Sequence, residues 1–128
     1  MIILIRGLPG SGKTTEAKKM QKAIGAKHFE ADMFHTIDGV YRFNVNNIAD
    51  AHNWCQAQTA YWLNRGSNVI VSNTSTTIRE MEPYFKMAKK YGVDVEVIEM
   101  KGDYGTIHDV PEDVIQRMKD RWEDYVVN

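Results

Sequence analysis

Eight residues near the start of the chain have the types and spacing of a phosphate-binding loop: Gly7-Leu8-Pro9-Gly10-Ser11-Gly12-Lys13-Thr14, of the form G-x-x-x-x-G-K-[ST]. The chemistry such a loop serves is the holding of a polyphosphate. Backbone N–H groups converging at a helix N-terminus bind anionic oxygens, and the helix dipole adds to the attraction. Glycine at Gly7, Gly10 and Gly12 permits that wrap, because it leaves no Cβ between backbone and phosphate and reaches positive φ without steric cost. Leu8, Pro9, Gly10, Ser11, Gly12, Lys13, Thr14 and Thr15 are thus the expected nucleotide-binding set. Lys13 brings a point charge to the β- and γ-phosphates, the Thr14 hydroxyl is placed to ligate Mg²⁺, and Thr15 is expected to reach the α-phosphate.

A loop of this kind needs a buried strand before it and a helix after it. The apolar run 1–5 reads as that strand and 13–24 as the helix, with Ala17, Met20 and Ile24 on one face and Gly25 ending it. A short strand over 27–30 puts Asp32 just beyond its carboxyl end. In open parallel sheets ligands bind outside the carboxyl ends of the strands, so Asp32 is expected to face the crevice of the phosphate loop. Residues 36–47 read as irregular, and a helix follows over 48–64 with Ala51, Trp54, Cys55, Gln58 and Trp62 on one side. The β-branched run 68–72 predicts a central strand from whose end Asn73 emerges. A helix over 78–91 carries Met81, Tyr84, Phe85 and Ala88 inward, with Pro83 in its first turns and Gly92 stopping it. Then come a strand over 94–100, a mobile loop over 101–110, and a helix over 111–125 opened by Pro111-Glu112-Asp113, with Val114, Ile115, Met118 and Trp122 inward. That order predicts a three-layer α/β fold of the P-loop type, with about four parallel strands between helices, in a single domain over residues 1–128.

Composition removes several alternatives. The chain has 128 residues, 43% of them hydrophobic, which suits one core. A net charge of −1 gives no global basic field toward nucleic acid. Cys55 is the only cysteine, which excludes an intrachain disulfide and zinc-ligand spacing. No apolar window approaches ~18 residues and the N-terminal run is too short for a signal peptide, so a cytoplasmic protein without membrane contact is expected. The guanine-recognition motif Asn-Lys-x-Asp is missing, and no apolar run ends in two acids as a Walker-B strand would. A compact kinase using ATP and Mg²⁺ fits better than a switch GTPase or a motor ATPase.

Taken together, Arg6 with the phosphate loop, Glu30-Ala31-Asp32, Tyr41-Arg42-Phe43, Ala51-His52-Asn53-Trp54-Cys55 and Asn73-Thr74 resemble the P-loop kinase-like domain of the Nedd-binding protein family. The same residues are similar to the kinase domain of phage-type polynucleotide 5′-kinases, and the resemblance spans nearly the whole chain. It implies that Asp32 is the general base taking the proton from a 5′-hydroxyl, with Lys13 as its catalytic companion on the phosphates. It implies a substrate-binding role for His35, three positions on, where the kinases carry a basic residue. Tyr41, Arg42 and Phe43 are expected to touch the acceptor, whereas Trp54, Trp62 and Trp122 are expected in the core. The chain departs from the kinase pattern twice. Asn73 stands where polynucleotide kinases carry an aspartate, so its expected substrate contact is a hydrogen bond without charge. No arginine lies between Arg79 and Arg117, leaving Lys101, His108, Arg117 and Arg121 as the basic candidates for the nucleotide lid. The expected activity is transfer of the γ-phosphate of ATP to a hydroxyl, foremost the 5′-hydroxyl of a polynucleotide or nucleotide. A nucleotide-binding interaction module with little turnover and a small-molecule kinase are the alternatives, and the oligomeric state stays open.

Overall fold

The computed structural model describes residues 1–37, 39–104 and 110–125. In chain order the elements are β1 (Ile2–Gly7), α1 (Lys13–Ile24), β2 (Lys27–Phe29), β3 (Thr36–Ile37), β4 (Val40–Tyr41), α2 (Ile48–Leu63), β5 (Val69–Asn73), α3 (Ile78–Tyr91), β6 (Val95–Met100) and α4 (Glu112–Asp120). Four strands form one parallel sheet in the order β2-β5-β1-β6. Every residue of β1 and of β5 is buried, as helices on both faces require of parallel strands.

Alternation along the strands sorts the core into two layers. Ile2, Leu4, Val69 and Val71 pack with Cys55, Leu63, Met81, Tyr84 and Ala88 from α2 and α3. Ile3, Ile5 and Ile70 face the other way, onto Ala17 of α1 and Ala26. The predicted three-layer parallel architecture is therefore the one observed. Ile24 is not part of the core; at the last turn of α1 it is 42% exposed. On α2 the buried line is Ala51, Cys55, Thr59 and Leu63, a four-residue spacing that leaves Trp54 and Trp62 half-buried on its flank. The last helix ends at Asp120, with no fully buried residue, rather than at 125.

The segment expected to be irregular carries structure of its own. Ala31–His35 is a 3₁₀ turn, β3 and β4 pair as a small antiparallel ribbon, and Val45–Asn47 is a second 3₁₀ turn. Strands of two residues are too short for any periodicity to announce them.

Arg6 is the largest fully buried side chain. Its guanidinium donates to the Ser75 carbonyl through Nε at 3.0 Å and Nη2 at 2.8 Å, to the Thr76 carbonyl at 3.3 Å and to the Glu123 carbonyl at 2.7 Å. The Trp122 ring covers it at 4.0 Å. Burial lowers its pKa, and Glu99, Asp124, Glu80 and Glu123 oppose that shift. One side chain thus ties the C-terminal segment and the turn after β5 to the central strand, and that turn holds Ser75 at φ 45, outside the usual range of a residue with a Cβ. Replacing Arg6 with Met keeps apolar bulk but takes from the Ser75 and Glu123 carbonyls the guanidinium donor, while the Thr76 carbonyl keeps the Glu123 N–H at 2.8 Å. The expected loss is about 3–5 kcal/mol of unfolding free energy, measured by urea denaturation.

Cys55 and Tyr84 face each other in the α2–α3 layer, and the Tyr84 hydroxyl has no well-formed hydrogen bond. Burial raises both pKa values above their ordinary 9.0 and 10.0, with Tyr84 and Asn73 partly offsetting the effect on the thiol. Above pH 9 the unfolded chain releases protons that the fold retains, so stability falls as pH rises. Denaturation between pH 8 and 10.5 should show that decline, and Cys55→Ala should remove the part that begins near pH 9.

Candidate active site

The phosphate loop hangs between β1 and α1. Gly7 ends β1, and its N–H donates to the Thr74 carbonyl at 3.3 Å. A Cβ on Gly7 would collide with the Ser11 hydroxyl and lie 2.7 Å from the Met100 carbonyl, so the close approach of β6 requires glycine. Gly10 and Gly12 take positive φ of 80 and 94. Gly12 caps α1 without a side-chain hydrogen bond, whereas α3 is capped by the Thr77 hydroxyl, which accepts from the Glu80 N–H at 3.3 Å. No side chain therefore competes with an anion for the first N–H groups of α1.

Two side chains in the loop are poorly matched without a ligand. The Ser11 hydroxyl is buried and has no partner. Lys13 folds back, donating from Nζ to the Leu8 carbonyl at 2.9 Å, an oxygen that also accepts from the Ser11 N–H at 3.1 Å. Burial lowers the Lys13 pKa, against Glu30 and then Asp32, which places the ammonium within the field of both carboxylates. A polyphosphate offers that ammonium better acceptors than one neutral carbonyl. Leu8, Pro9 and Gly10 are half-buried along the loop, and Thr15 is exposed one residue beyond Thr14.

Across the crevice, β2 and β5 deliver a hydrogen-bonded chain. The Thr14 hydroxyl donates to Glu30 Oε2 at 3.0 Å, and the Ser72 hydroxyl donates to the same oxygen at 2.8 Å. His28 Nε2 lies 2.7 Å from the Ser72 oxygen. Burial lowers the His28 pKa, opposed by Glu30 and reinforced by Lys18, so the neutral ring is favoured. Since the one Ser72 proton goes to Glu30, His28 Nε2–H must be the donor to Ser72. Sequence reasoning gave Glu30 no role, although it stands at the end of the predicted strand 27–30, the same location that singled out Asp32.

Asn73 is buried and both ends of its amide are engaged. Its Oδ1 accepts from the Ala31 N–H at 2.8 Å, and its Nδ2 donates to the Cys55 sulfur at 3.8 Å. The residue holds the turn that carries Asp32 through the Ala31 N–H. Asp32 itself is exposed, its Oδ1 accepting from the Tyr41 hydroxyl at 3.5 Å. Burial, then the Asp32 charge, pushes the Tyr41 pKa up to about 12, so the phenol stays protonated and donating. His35 is placed differently from the expectation of a substrate contact. It is 4% exposed, boxed edge-on by Phe34 at 5.9 Å, Tyr41 at 6.2 Å and Phe43 at 5.0 Å. Its imidazole supports the ribbon, while Arg42 and Phe43 are the residues exposed on it.

The basic lid candidates are largely occupied elsewhere. Arg117 pairs with Asp113 at 3.2 Å, Lys101 lies 3.7 Å from Glu99, and Arg121 Nε donates to the Thr76 hydroxyl at 3.0 Å. His108 lies outside the described residues. The start of the segment expected to be mobile is anchored: the Tyr104 N–H donates to the Gly10 carbonyl at 2.8 Å, and its ring lies against Gly12.

The fit to a magnesium nucleotide rests on these donors. Mg²⁺ takes hard oxygens, one or two from protein and the rest from phosphates and water. The adjacent oxygens of Thr14 and Glu30 meet that requirement, and among the described residues no group of three or more His, Cys, Asp or Glu forms a competing metal site.

A glycine-rich loop between the central strand of a parallel sheet and an uncapped helix defines a nucleotide-binding P-loop protein of the kinase-like fold. Residues 2–109 match the family described as "AAA domain", and the chain belongs to that family. NEDD4-binding protein 2 from Homo sapiens is 32% identical over 93 residues, which are 71% of this chain and 5% of that protein. Among solved structures, Kti12 from Chaetomium thermophilum, in complex with ADP-AlF3, superposes with a TM-score of 0.70 at 13% identity, covering 97% of this chain and 81% of that one. The Pnkp1/Rnl/Hen1 RNA repair complex contains a chain with a TM-score of 0.66 at 18% identity, covering 94% of this chain and 36% of that one. The resemblance expected from the motifs is thus borne out at the level of family and fold. No helix among the described residues is long and apolar enough to cross a membrane.

Because Gly7 admits no Cβ, Gly7→Ala must displace either the loop or the end of β6. Titration with ATP by calorimetry should show at least a tenfold loss of affinity relative to the parent chain.

Proposed function

We propose that the protein is an ATP-dependent phosphotransferase acting on a hydroxyl acceptor, foremost the 5′-hydroxyl of a polynucleotide or nucleotide. The observation that carries this reading is Asp32: an exposed carboxylate, oriented by the Tyr41 hydroxyl and close enough that its charge, after that of Glu30, opposes the lowering of the Lys13 pKa by burial. A phosphate-binding loop facing a solvent-accessible base is what phosphoryl transfer to an alcohol demands. The similarity of the fold to a chain of an RNA repair complex supports a polynucleotide acceptor.

In this reading the loop N–H groups and Lys13 hold the phosphates of ATP, and Thr15 meets the α-phosphate. Thr14 would hold Mg²⁺, whose chemistry is to neutralise charge on the transferred phosphate. Arg42 contacts a phosphate of the acceptor and Phe43 offers a face to its base. Asp32 accepts the proton as the acceptor oxygen bonds to the γ-phosphorus. The bond from that phosphorus to the bridging oxygen breaks, and ADP leaves. His35 and Asn73 act indirectly, by holding the ribbon and the Asp32 turn.

One observation favours a second reading, a nucleotide-binding interaction module. Arg117 and Arg121 are engaged with Asp113 and Thr76, so neither is committed to a γ-phosphate. Incubation with γ-labelled ATP and 5′-hydroxyl DNA, RNA and nucleosides separates the possibilities. Transfer to oligomers is the expected result. Transfer to nucleosides alone would point to a small-molecule kinase, and ATP binding without transfer or hydrolysis would favour the module. Asp32→Asn should lower transfer by about 10²–10⁴-fold while leaving ATP affinity within about threefold. Full transfer by that variant would remove Asp32 from the mechanism.

A further inference from the structure

We propose that Glu30 is the metal-site carboxylate of this protein, supplied from the end of β2 because the end of β5 carries Asn73. The assignment rests on the nucleotide-site reading above and adds a residue and a role to it. Asn73 cannot serve, since it is uncharged and its amide is spent on Ala31 and Cys55. Asp32 lies farther along the turn, is exposed, and takes the Tyr41 hydroxyl. Glu30 is the carboxylate in direct contact with the loop, through Thr14.

The geometry is informative about direction. The proton of the Thr14 hydroxyl goes to Glu30 Oε2, which leaves the lone pairs of that hydroxyl available to a cation. Ser72 donates to the same Oε2, and His28 in turn donates to Ser72. This chain from β2 and β5 fixes the carboxylate by one of its oxygens only. Oε1 accepts no hydrogen bond among the described residues, and the Glu30 side chain is 19% exposed, so the second oxygen is free for a metal or a metal-bound water. A purely structural acceptor would need no charge here, because two hydroxyl donors are satisfied equally by a neutral amide oxygen.

That contrast supplies the test. Glu30→Gln keeps an acceptor for Thr14 and Ser72 but removes the charge. Manganese, in place of magnesium, is titrated into the protein–ADP complex and followed by electron paramagnetic resonance, and ADP affinity is measured separately in EDTA. The expected result is a 10–100-fold loss of manganese affinity in the ADP complex of E30Q, the range typical of residues that orient metal ligands, with metal-free ADP affinity unchanged within about twofold. Glu30→Asp, which keeps the charge on a shorter arm, should retain more manganese affinity than E30Q and is the measurement to rely on if the amide variant folds poorly. Manganese affinity in E30Q equal to that of the parent chain, or in E30D no higher than in E30Q, overturns the assignment. Failure of the parent chain to bind ADP would overturn the nucleotide-site reading itself, a different outcome from ADP binding with an indifferent Glu30.

Discussion

The parallel register of the sheet is the constraint on which the rest depends. Arg6 of β1 lies level with Asn73 of β5, Gly7 with Met100 of β6, and Phe29 of β2 with Val71. Four chain exits therefore open at one edge, and the phosphate loop, Glu30, Asn73 and the Tyr104 segment converge there without any of them adopting a long loop. A slip of one residue in β1 would turn Leu4 out of its layer and bring Arg6 to the face of α1. The buried apolar strands thus set the site as much as the site residues do.

Polar side chains then lock what the register brings together. Arg6 gathers carbonyls from the turn after β5 and from the C-terminal segment, holding both against the strand that leads into the loop. Asn73 ties the Asp32 turn to β5, and His28 and Ser72 hold Glu30. By contrast, the loop itself is left with the unpartnered Ser11 hydroxyl and with Lys13 on a neutral carbonyl. Among the described residues, buried polar atoms without a partner occur in the scaffold as well, at Arg6 Nη1 and the Tyr84 hydroxyl; what distinguishes the cradle is that its unpartnered hydroxyl stands beside an ammonium held by a neutral carbonyl, as a preorganised anion site requires.

The parts legible from residue order were those governed by local rules. The phosphate loop, the bounds of α1 and α3, and the buried strand in β5 follow from glycine placement and apolar period, and the structure agrees with them. Glu30 was not legible as a partner of Thr14, because the pairing exists only once β2 is laid beside β5 and β5 beside β1. His35 was given a substrate contact from its spacing to Asp32, because nothing in its neighbours' order shows that Tyr41 and Phe43 fold back over it. The short β3–β4 ribbon has too few residues for a period, and the early end of α4 was missed because the apolar spacing runs on to Trp122, which lies past the last turn against Arg6.

In the proposed reaction the donor and the acceptor lie on opposite sides of one crevice, with the loop at one wall and the Asp32 turn at the other. A crystal structure of the protein with ADP, magnesium and a short 5′-hydroxyl oligonucleotide tests that placement most directly. The predicted result is the β-phosphate within the loop between Gly7 and Thr14 and the terminal hydroxyl within hydrogen-bond reach of Asp32. An oligonucleotide bound away from Asp32, or a nucleotide bound outside the loop, would contradict it.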